Sequence, residues 1–216
     1  MKIAAHQPNY LPNLDYFSKM KQVDVFVVAT SLKADRGDKW QMRHKIPTHN
    51  GDHWLTVPIH STNNSLIKEI KICYDKDWQR SHFFTLKNVY ARASGNKHLE
   101  YFEDIYLKRW ERLADLNFEI IKRLKNILDI DTQIFMDEEI SGIKHENFIA
   151  AAKKYRANTY VSGNGTRNYL TENAIDDMHK EGISHIFVNK YLGQKYPYST
   201  IHYLLTNGKE WIKNVI

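Results

Sequence analysis

Five consecutive residues near the N-terminus form the densest group of side chains capable of chemistry: His6-Gln7-Pro8-Asn9-Tyr10. The imidazole can accept a proton, while the two carboxamides and the phenol can orient a substrate or stabilise an oxyanion. We therefore take His6, Asn9 and Tyr10 as candidate catalytic residues and Gln7 as a candidate substrate-binding residue. The alternative is a turn in which Pro8 and Asn9 satisfy buried backbone groups.

A second candidate group surrounds Trp40. Five basic residues fall within thirteen positions of the chain: Lys33, Arg36, Lys39, Arg43 and Lys45. A guanidinium such as that of Arg43 can hold a phosphate or carboxylate by two parallel hydrogen bonds, and an indole can stack on a nucleobase or a sugar. We take Trp40 and Arg43 as candidate substrate-binding residues. A solvated basic face with Trp40 packed under its own loop explains the pattern equally well.

The third candidate group is the glycine-containing segment 162–168, Ser-Gly-Asn-Gly-Thr-Arg-Asn. Its glycines could let backbone N–H groups approach a phosphate, and Arg167 adds charge. Ser162, Asn164 and Arg167 are therefore candidate substrate-binding residues. The segment matches neither the Walker pattern nor the dinucleotide fingerprint, so an ordinary glycine turn is the alternative.

Other residues exclude several kinds of chemistry. The 11 histidines form no paired helical ligand motif, and His49 and His53 are separated by the hairpin dipeptide Asn50-Gly51, so neither a metal nor a cofactor is indicated. Cys73 is the only cysteine, which excludes an intramolecular disulfide, and we expect it to be a small core residue in a strand over 70–74.

The amino-acid composition indicates which classes of ligand are favoured. The 216 residues carry a formal net charge of +6, which favours phosphate-bearing ligands, but the basic residues are spread along the chain rather than gathered in a tail. Small phosphate-bearing molecules are therefore better candidates than duplex DNA. No run of about 18 apolar residues exists and the N-terminus lacks a signal-peptide core, so we expect a cytoplasmic protein without a membrane span. The oligomeric state stays open.

The elements that must position these residues begin with a strand over 2–5, a helix over 16–22 and a strand over 23–28. The last is a continuous apolar run, as in a strand buried on both faces. Such a unit places the loop after its first strand, here His6 to Tyr10, at the carboxyl edge of the sheet, where open α/β folds bind ligands. The loop with Arg167 also follows a predicted strand, over 159–163, and should face the same edge.

The rest of the chain predicts a small antiparallel β excursion followed by helices that alternate with strands. Half-buried strands are predicted over 54–59 and 67–72, helices over 78–91, 101–128 with a break near 107–110, 144–155, 174–181 and 200–206, and a further strand over 185–189. We expect a single α/β domain over 1–216 with a mainly parallel sheet, flanking helices and a helical insertion. A helical subdomain over about 78–155 is possible.

Several motifs resemble the WbqC-like family of bacterial proteins, and the opening His-Gln-Pro-x-Tyr-Leu-Pro is the most specific of them. The other matching residues are Trp40-Gln41-Met42-Arg43 with Ile46, the Gly51 turn before Trp54-Leu55-Thr56-Val57-Pro58, Trp78 with Ser81-His82, Leu116-Asn117, Tyr160-Val161-Ser162-Gly163 with Tyr169-Leu170, and residues 199–208. The resemblance covers nearly the whole chain and adds His82 as a candidate substrate-binding residue. This chain departs from the family at Ala29-Thr30-Ser31, where acidic residues are common, and at His202, where an Asp is common.

The resemblance implies a place in the synthesis of O-antigen or another surface polysaccharide. The leading hypothesis is a transferase that places an acyl or aminoacyl group on the amine of a nucleotide-linked sugar, with His6 as the base. One alternative is a nucleotidylyltransferase-like enzyme. Another is a non-catalytic protein that binds a nucleotide, a sugar or an aminoacyl-tRNA. We expect six residues to line one cleft: His6, Asn9, Tyr10, Arg43, His82 and Arg167.

Overall fold

The computed structural model describes residues 1–34, 39–60, 65–142 and 145–216. Its strands are β1 (Lys2–His6), β2 (Val25–Ala29), β3 (Arg43–Thr48), β4 (Gly51–Thr56), β5 (Gln133–Asp137), β6 (Thr159–Ser162) and β7 (Ser184–Phe187). Its α-helices are α1 (Leu14–Lys21), α2 (Trp78–Val89), α3 (Glu103–Leu107), α4 (Leu113–Ile127), α5 (Glu146–Lys154), α6 (Glu172–Lys180), α7 (Thr200–Asn207) and α8 (Lys209–Val215). Short 3-10 segments cover Ile67–Glu69, Asn96–Phe102 and Asn164–Asn168.

Five strands form one sheet in the order β5-β2-β1-β6-β7, and every neighbouring pair is parallel. β1 lies in the middle, with Ile3 opposite both Val25 of β2 and Tyr160 of β6. All five residues of β2 are buried, as its continuous apolar sequence predicts for a strand covered on both faces. The predicted α/β class with a mainly parallel sheet is confirmed.

Alternate residues of the central strands face two separate parts of the core. Ile3 and Val25 pack with the small Ala151 and Ala152 of α5 and with Met178 of α6. The alternate residues of the central strands face the opposite side of the sheet. There, Ala4, Phe26 and Val161 pack with Phe17 of α1, Leu116 of α4 and Ile201 of α7. Helices therefore cover both faces and leave the strand ends as the place where polar side chains can gather.

The antiparallel excursion is the hairpin of β3 and β4, in which Thr48 lies opposite Gly51. Gly51 adopts a φ of +99°, a conformation that glycine reaches without steric cost. The predicted turn at Asn50-Gly51 is therefore confirmed. β4 begins at this turn and ends at Thr56, earlier at both ends than the strand predicted over 54–59.

Two expectations for the next segment are wrong. The strand predicted over 67–72 is a 3-10 segment at Ile67–Glu69, followed by isolated bridges that pair Lys71 with Arg112 and Ile72 with Ile59. Ile67, Ile70 and Ile72 are buried without forming a strand, so their spacing reflects contact with the core rather than sheet pairing. Cys73 lies outside the named strands and is half-buried instead of belonging to the core.

β5 and α8 were not predicted. β5 is an edge strand that pairs with β2, with Phe26 opposite Ile134. The interval 78–155 therefore contains three helices that precede a strand of the main sheet, and then α5. None of the helices in the described ranges is both long and apolar enough to cross a membrane.

Candidate functional site

The carboxyl edge of the parallel sheet gathers the candidate residues. His6 is the last residue of β1 and Ser162 is the last residue of β6, and the two strands are parallel neighbours. The loops that contain His6 and Arg167 therefore begin at the same edge of the sheet, as the sequence predicts. Open α/β folds bind their ligands at this edge.

The His6 imidazole is half-buried, and its Nδ1 lies 3.0 Å from the carbonyl oxygen of Gln7. A carbonyl only accepts hydrogen bonds, so Nδ1 carries the proton and Nε2 is left as an acceptor. Burial, and secondly the charge of Lys19, lower the pKa of His6 to about 3. The ring is therefore neutral at physiological pH and offers a lone pair on Nε2.

Lys19 was missed by the sequence reasoning. It lies on the inner face of α1 and is 6% exposed, with Nζ donating a hydrogen bond to the carbonyl oxygen of Ala5 at 3.1 Å. Burial lowers its pKa from 10.5 to about 7. The signal available in the sequence was its spacing of one helical turn from Tyr16, which places a lysine on a face that otherwise packs inward.

The loop after β1 is held by side chains from two other elements. The fully buried Asn117 of α4 donates through Nδ2 to the carbonyl oxygens of Pro8 at 3.0 Å and Gln41 at 2.7 Å. Gln41 also donates from its side chain to the amide oxygen of Gln7. The first residues of the hairpin segment are thereby fixed against the candidate loop, with Asn117 as the common anchor.

Asn9 and Gln7 differ in whether their side-chain amides remain available to bind a ligand. The half-buried Asn9 side chain has no hydrogen-bond partner within the described part of the chain, so its amide can still bind a ligand. Gln7 uses Nε2 to donate to the carbonyl oxygen of Lys33 at 3.2 Å. Gln7 therefore supports the loop, whereas Asn9 stays a candidate for substrate contact.

Tyr10 and His82 lie in the interior and are hydrogen-bonded to each other. Tyr10 is fully buried, and its Oη lies 2.8 Å from Nδ1 of His82 and 2.9 Å from Oη of Tyr106. A phenol and an imidazole nitrogen can each donate or accept, so either partner can be the donor in both of these hydrogen bonds. Burial lowers the pKa of His82 to about 4. The polar atoms of Tyr10 and His82 bond to one another and to Tyr106 in a buried chain, and the catalytic role predicted for Tyr10 and the binding role predicted for His82 stay predictions.

The basic segment forms an aromatic surface at the start of the hairpin. The guanidinium of Arg43 lies 4.6 Å above the ring centroid of Trp54, which is 41% exposed. The ring of Trp40 lies 6.1 Å from that of Trp54 and 5.0 Å from that of His44. Aromatic rings next to a guanidinium are suited to stacking on a sugar or a base. Arg36 lies outside the described residues.

The glycine segment after β6 presents a guanidinium at the surface. Arg167 is exposed, lies 3.8 Å above the ring centroid of Phe187 and donates from Nε to Oδ1 of Asn164 at 3.1 Å. A Cβ added at Gly165 would meet nothing within 4 Å, and this residue has no positive φ, so folding does not require glycine there. The space beside Gly165 lets a ligand approach the backbone closely.

Ser162 is turned away from this surface. It is 2% exposed, and its Oγ lies 2.8 Å from Nε2 of His185 in β7. Its hydroxyl therefore joins two neighbouring strands, and the substrate contact predicted for Ser162 stays a prediction. Thr30 and Ser31, at the departures from the family pattern, likewise donate to the carbonyl oxygens of Asp137 and Ile140.

Other parts of the surface offer less chemistry. Two cavities lie away from the carboxyl edge: one of about 520 Å³ at the amino ends of the strands, beside Met1 and Asp24, and one of about 440 Å³ between α2 and α3, beside Phe84. Among residues 1–34, 39–60, 65–142 and 145–216, no cluster of three or more histidine, cysteine, aspartate or glutamate side chains could hold a metal ion.

The fold and the site define an α/β protein that presents an imidazole acceptor, an exposed guanidinium and a glycine turn at the carboxyl edge of a parallel sheet. The chain belongs to the WbqC-like protein family, whose model matches residues 7–204. It is 28% identical over 182 residues to the uncharacterized protein Rv1507c of Mycobacterium tuberculosis, an alignment that spans 82% of this chain and 78% of that protein. No solved structure matches the chain significantly.

Proposed function

We propose that this protein is a transferase that places an acyl or aminoacyl group on the amine of a nucleotide-linked sugar during the cytoplasmic synthesis of a bacterial surface polysaccharide. The polysaccharide context comes from what the family resemblance implies. The observation that carries the proposal is the adjacency of β1 and β6, because it brings the imidazole of His6 and the turn of Gly165 and Arg167 to one edge of the sheet.

The two sides of this edge suit the two halves of such a substrate. Arg167 and the open backbone at Gly165 suit a diphosphate, since a guanidinium binds phosphate oxygens through parallel hydrogen bonds. The rings of Trp40 and Trp54 with Arg43 suit a sugar or a base. The half-buried Asn9 amide supplies a further hydrogen-bonding group.

The proposed reaction joins the amine nitrogen of the sugar to the carbonyl carbon of an activated acyl donor. The donor's ester or thioester bond breaks, and its oxygen or sulfur leaves with the electron pair. His6 accepts the amine proton on Nε2. Its low pKa makes it a weak base, so it takes the proton only as the new bond forms and the nitrogen becomes strongly acidic.

Binding can be tested with UDP-glucosamine, with UDP and glucosamine as its separate halves, by isothermal titration calorimetry. We expect UDP-glucosamine to bind and Arg167→Lys to weaken binding by about 1.5–3 kcal/mol, because an ammonium lacks the two parallel donors of a guanidinium. The matched control is Arg109→Lys, whose exposed guanidinium lies 4.2 Å above the ring centroid of Tyr74. Equal losses in the two variants would reject the diphosphate site at Arg167.

Turnover separates an enzyme from a binding protein. Incubation with UDP-glucosamine and either an acyl-coenzyme A or an aminoacyl-tRNA should yield an N-acylated product, detected by its mass. His6→Ala should abolish this product while UDP-glucosamine affinity stays within about threefold. Binding without product under both donors would favour the non-catalytic alternative, which the low pKa of His6 also supports.

A further inference from the structure

Two buried polar side chains of α1 have fewer partners than their chemistry requires. Lys19 is 6% exposed, and its ammonium donates a hydrogen bond only to the carbonyl oxygen of Ala5 within the described ranges, with no acidic side chain paired to it. Tyr16 is 2% exposed, and its hydroxyl has no hydrogen-bond partner among the residues that the structure describes. A lysine has three N–H donors and a phenol has one, so most of this capacity is unused.

The two side chains lie next to the candidate site. The Tyr16 ring centroid is 4.8 Å from that of His6 and 5.1 Å from that of Phe26 in β2. Nζ of Lys19 is 5.5 Å from the Phe26 centroid. A Cβ added at Gly163 would lie 3.9 Å from Cδ of Lys19. Lys19 and Tyr16 therefore lie beneath the ends of β1 and β6, where the loops with His6 and Arg167 begin.

A buried carboxylate elsewhere shows how this fold satisfies a charge that serves stability. Asp137 at the end of β5 accepts hydrogen bonds from the backbone N–H groups of Glu139 and Ile140 and from the hydroxyl of Tyr155, and it pairs with Lys154. In the described part of the chain, Lys19 has no comparable set of partners. Because an isolated buried charge is unfavourable, the buried ammonium of Lys19 points to an anion that a ligand supplies.

We propose that Lys19 and Tyr16 form a phosphate-binding subsite that holds the diphosphate of the substrate. The proposal deepens the proposed function and rests on it for the identity of the whole substrate. The oxygens of one phosphate can accept hydrogen bonds from the ammonium, the phenol and the backbone near Gly163 at the same time. A carboxylate has only two oxygens and can accept fewer of these bonds. Lys19 would neutralise the phosphate charge, and Tyr16 would orient one oxygen.

Calorimetric titration of the full chain with pyrophosphate tests the subsite directly. We expect Lys19→Met to weaken pyrophosphate binding by about tenfold to a hundredfold, the range for loss of a charged hydrogen bond. Tyr16→Phe removes only an unpartnered hydroxyl, so it should weaken binding about threefold to tenfold without lowering the melting temperature. The matched control is Lys21→Met, since Lys21 is on the same helix but donates to the carbonyl oxygens of Lys213 and Ile216 at the opposite edge.

Three outcomes would overturn the subsite: no pyrophosphate binding by the unaltered protein, equal losses in Lys19→Met and Lys21→Met, or acetate binding that matches pyrophosphate binding. Tyr16→Phe keeps the test decisive should Lys19→Met fold poorly, because unchanged affinity in that variant also counts against the subsite. Pyrophosphate binding that depends on Lys19, with no binding of UDP-glucosamine, would retain the subsite and reject the proposed function. Binding of UDP-glucosamine that does not depend on Lys19 would retain the proposed function and reject the subsite.

Discussion

Replacing Lys19 with methionine should make the unliganded protein more stable at neutral pH. Methionine is unbranched and of similar length, so it fills the same space without a charge to desolvate. Lys19 is 6% exposed, and burial lowers its pKa from 10.5 to about 7. The folded state therefore holds this proton less tightly than the unfolded chain does.

The sign and size of the change in stability with pH follow from this difference in proton binding. Between about pH 7 and 10.5 the unfolded chain keeps the Lys19 proton that the folded protein has released, so stability rises with pH by up to about 1.4 kcal/mol per pH unit. The destabilisation caused by the charged lysine is complete below pH 7 and amounts to roughly 5 kcal/mol at most. The advantage of Lys19→Met should shrink by about 2 kcal/mol from pH 7 to pH 9.

Urea denaturation of both proteins at pH 7 and pH 9 measures this change. The upper limit of pH 9 keeps tyrosine ionisation in the unfolded chain out of the comparison. Lys21→Met supplies the baseline, because Lys21 is exposed and bonds only to backbone carbonyls at the other edge. A Lys19→Met protein that is less stable than the parent at pH 7, with the same deficit at pH 9, would show that Lys19 stabilises the fold and is not an unfavourable buried charge.

Three further predictions concern neighbouring groups. His82 is buried in its neutral form with a pKa of about 4, so protonation below pH 6.5 favours the unfolded chain. His82→Gln should therefore lose less stability between pH 6.5 and pH 4.5 than the parent, by up to about 1.4 kcal/mol per pH unit, as measured by urea denaturation. Asn117→Ala should cost about 2–4 kcal/mol in the same assay, since two buried carbonyls lose their donor. Saturating pyrophosphate should raise the pKa of His6, followed by NMR of its ring protons; an unchanged titration would contradict the proximity of the bound anion.

The fold was largely predictable because its main elements are specified by local patterns. The apolar run that becomes β2, the inward faces of α2 and α4, and the hairpin turn at Gly51 each follow from residues close together in the chain. β5 was missed because it is a short edge strand whose burial alternates weakly. The wrong strand over 67–72 shows the reverse error, since buried isoleucines arise from any contact with a core.

The candidate site was less predictable than the fold, because the exposure of a polar side chain depends on residues far away in the sequence that pack against it. Tyr10 looks reactive beside His6, yet it pairs with His82 and Tyr106, which are 72 and 96 residues away. No local pattern distinguishes a buried phenol with two partners from one that faces a ligand. Lys19 shows the opposite case, because its spacing from Tyr16 places it on the inward face of α1, but only the packing of α1 on β1 and β2 shows which groups its ammonium contacts.

The charges of Lys19 and His6 connect ligand binding to the proposed chemistry. Burial lowers the pKa of His6 most, and the positive charge of Lys19 lowers it further. A phosphate held by Lys19 would oppose that second contribution, so the imidazole becomes a stronger base when the substrate is in place. The same phosphate would favour the charged form of Lys19, whose own pKa of about 7 leaves it only partly protonated in the free protein. A buried lysine and a weakly basic histidine thus form a pair that substrate binding would activate.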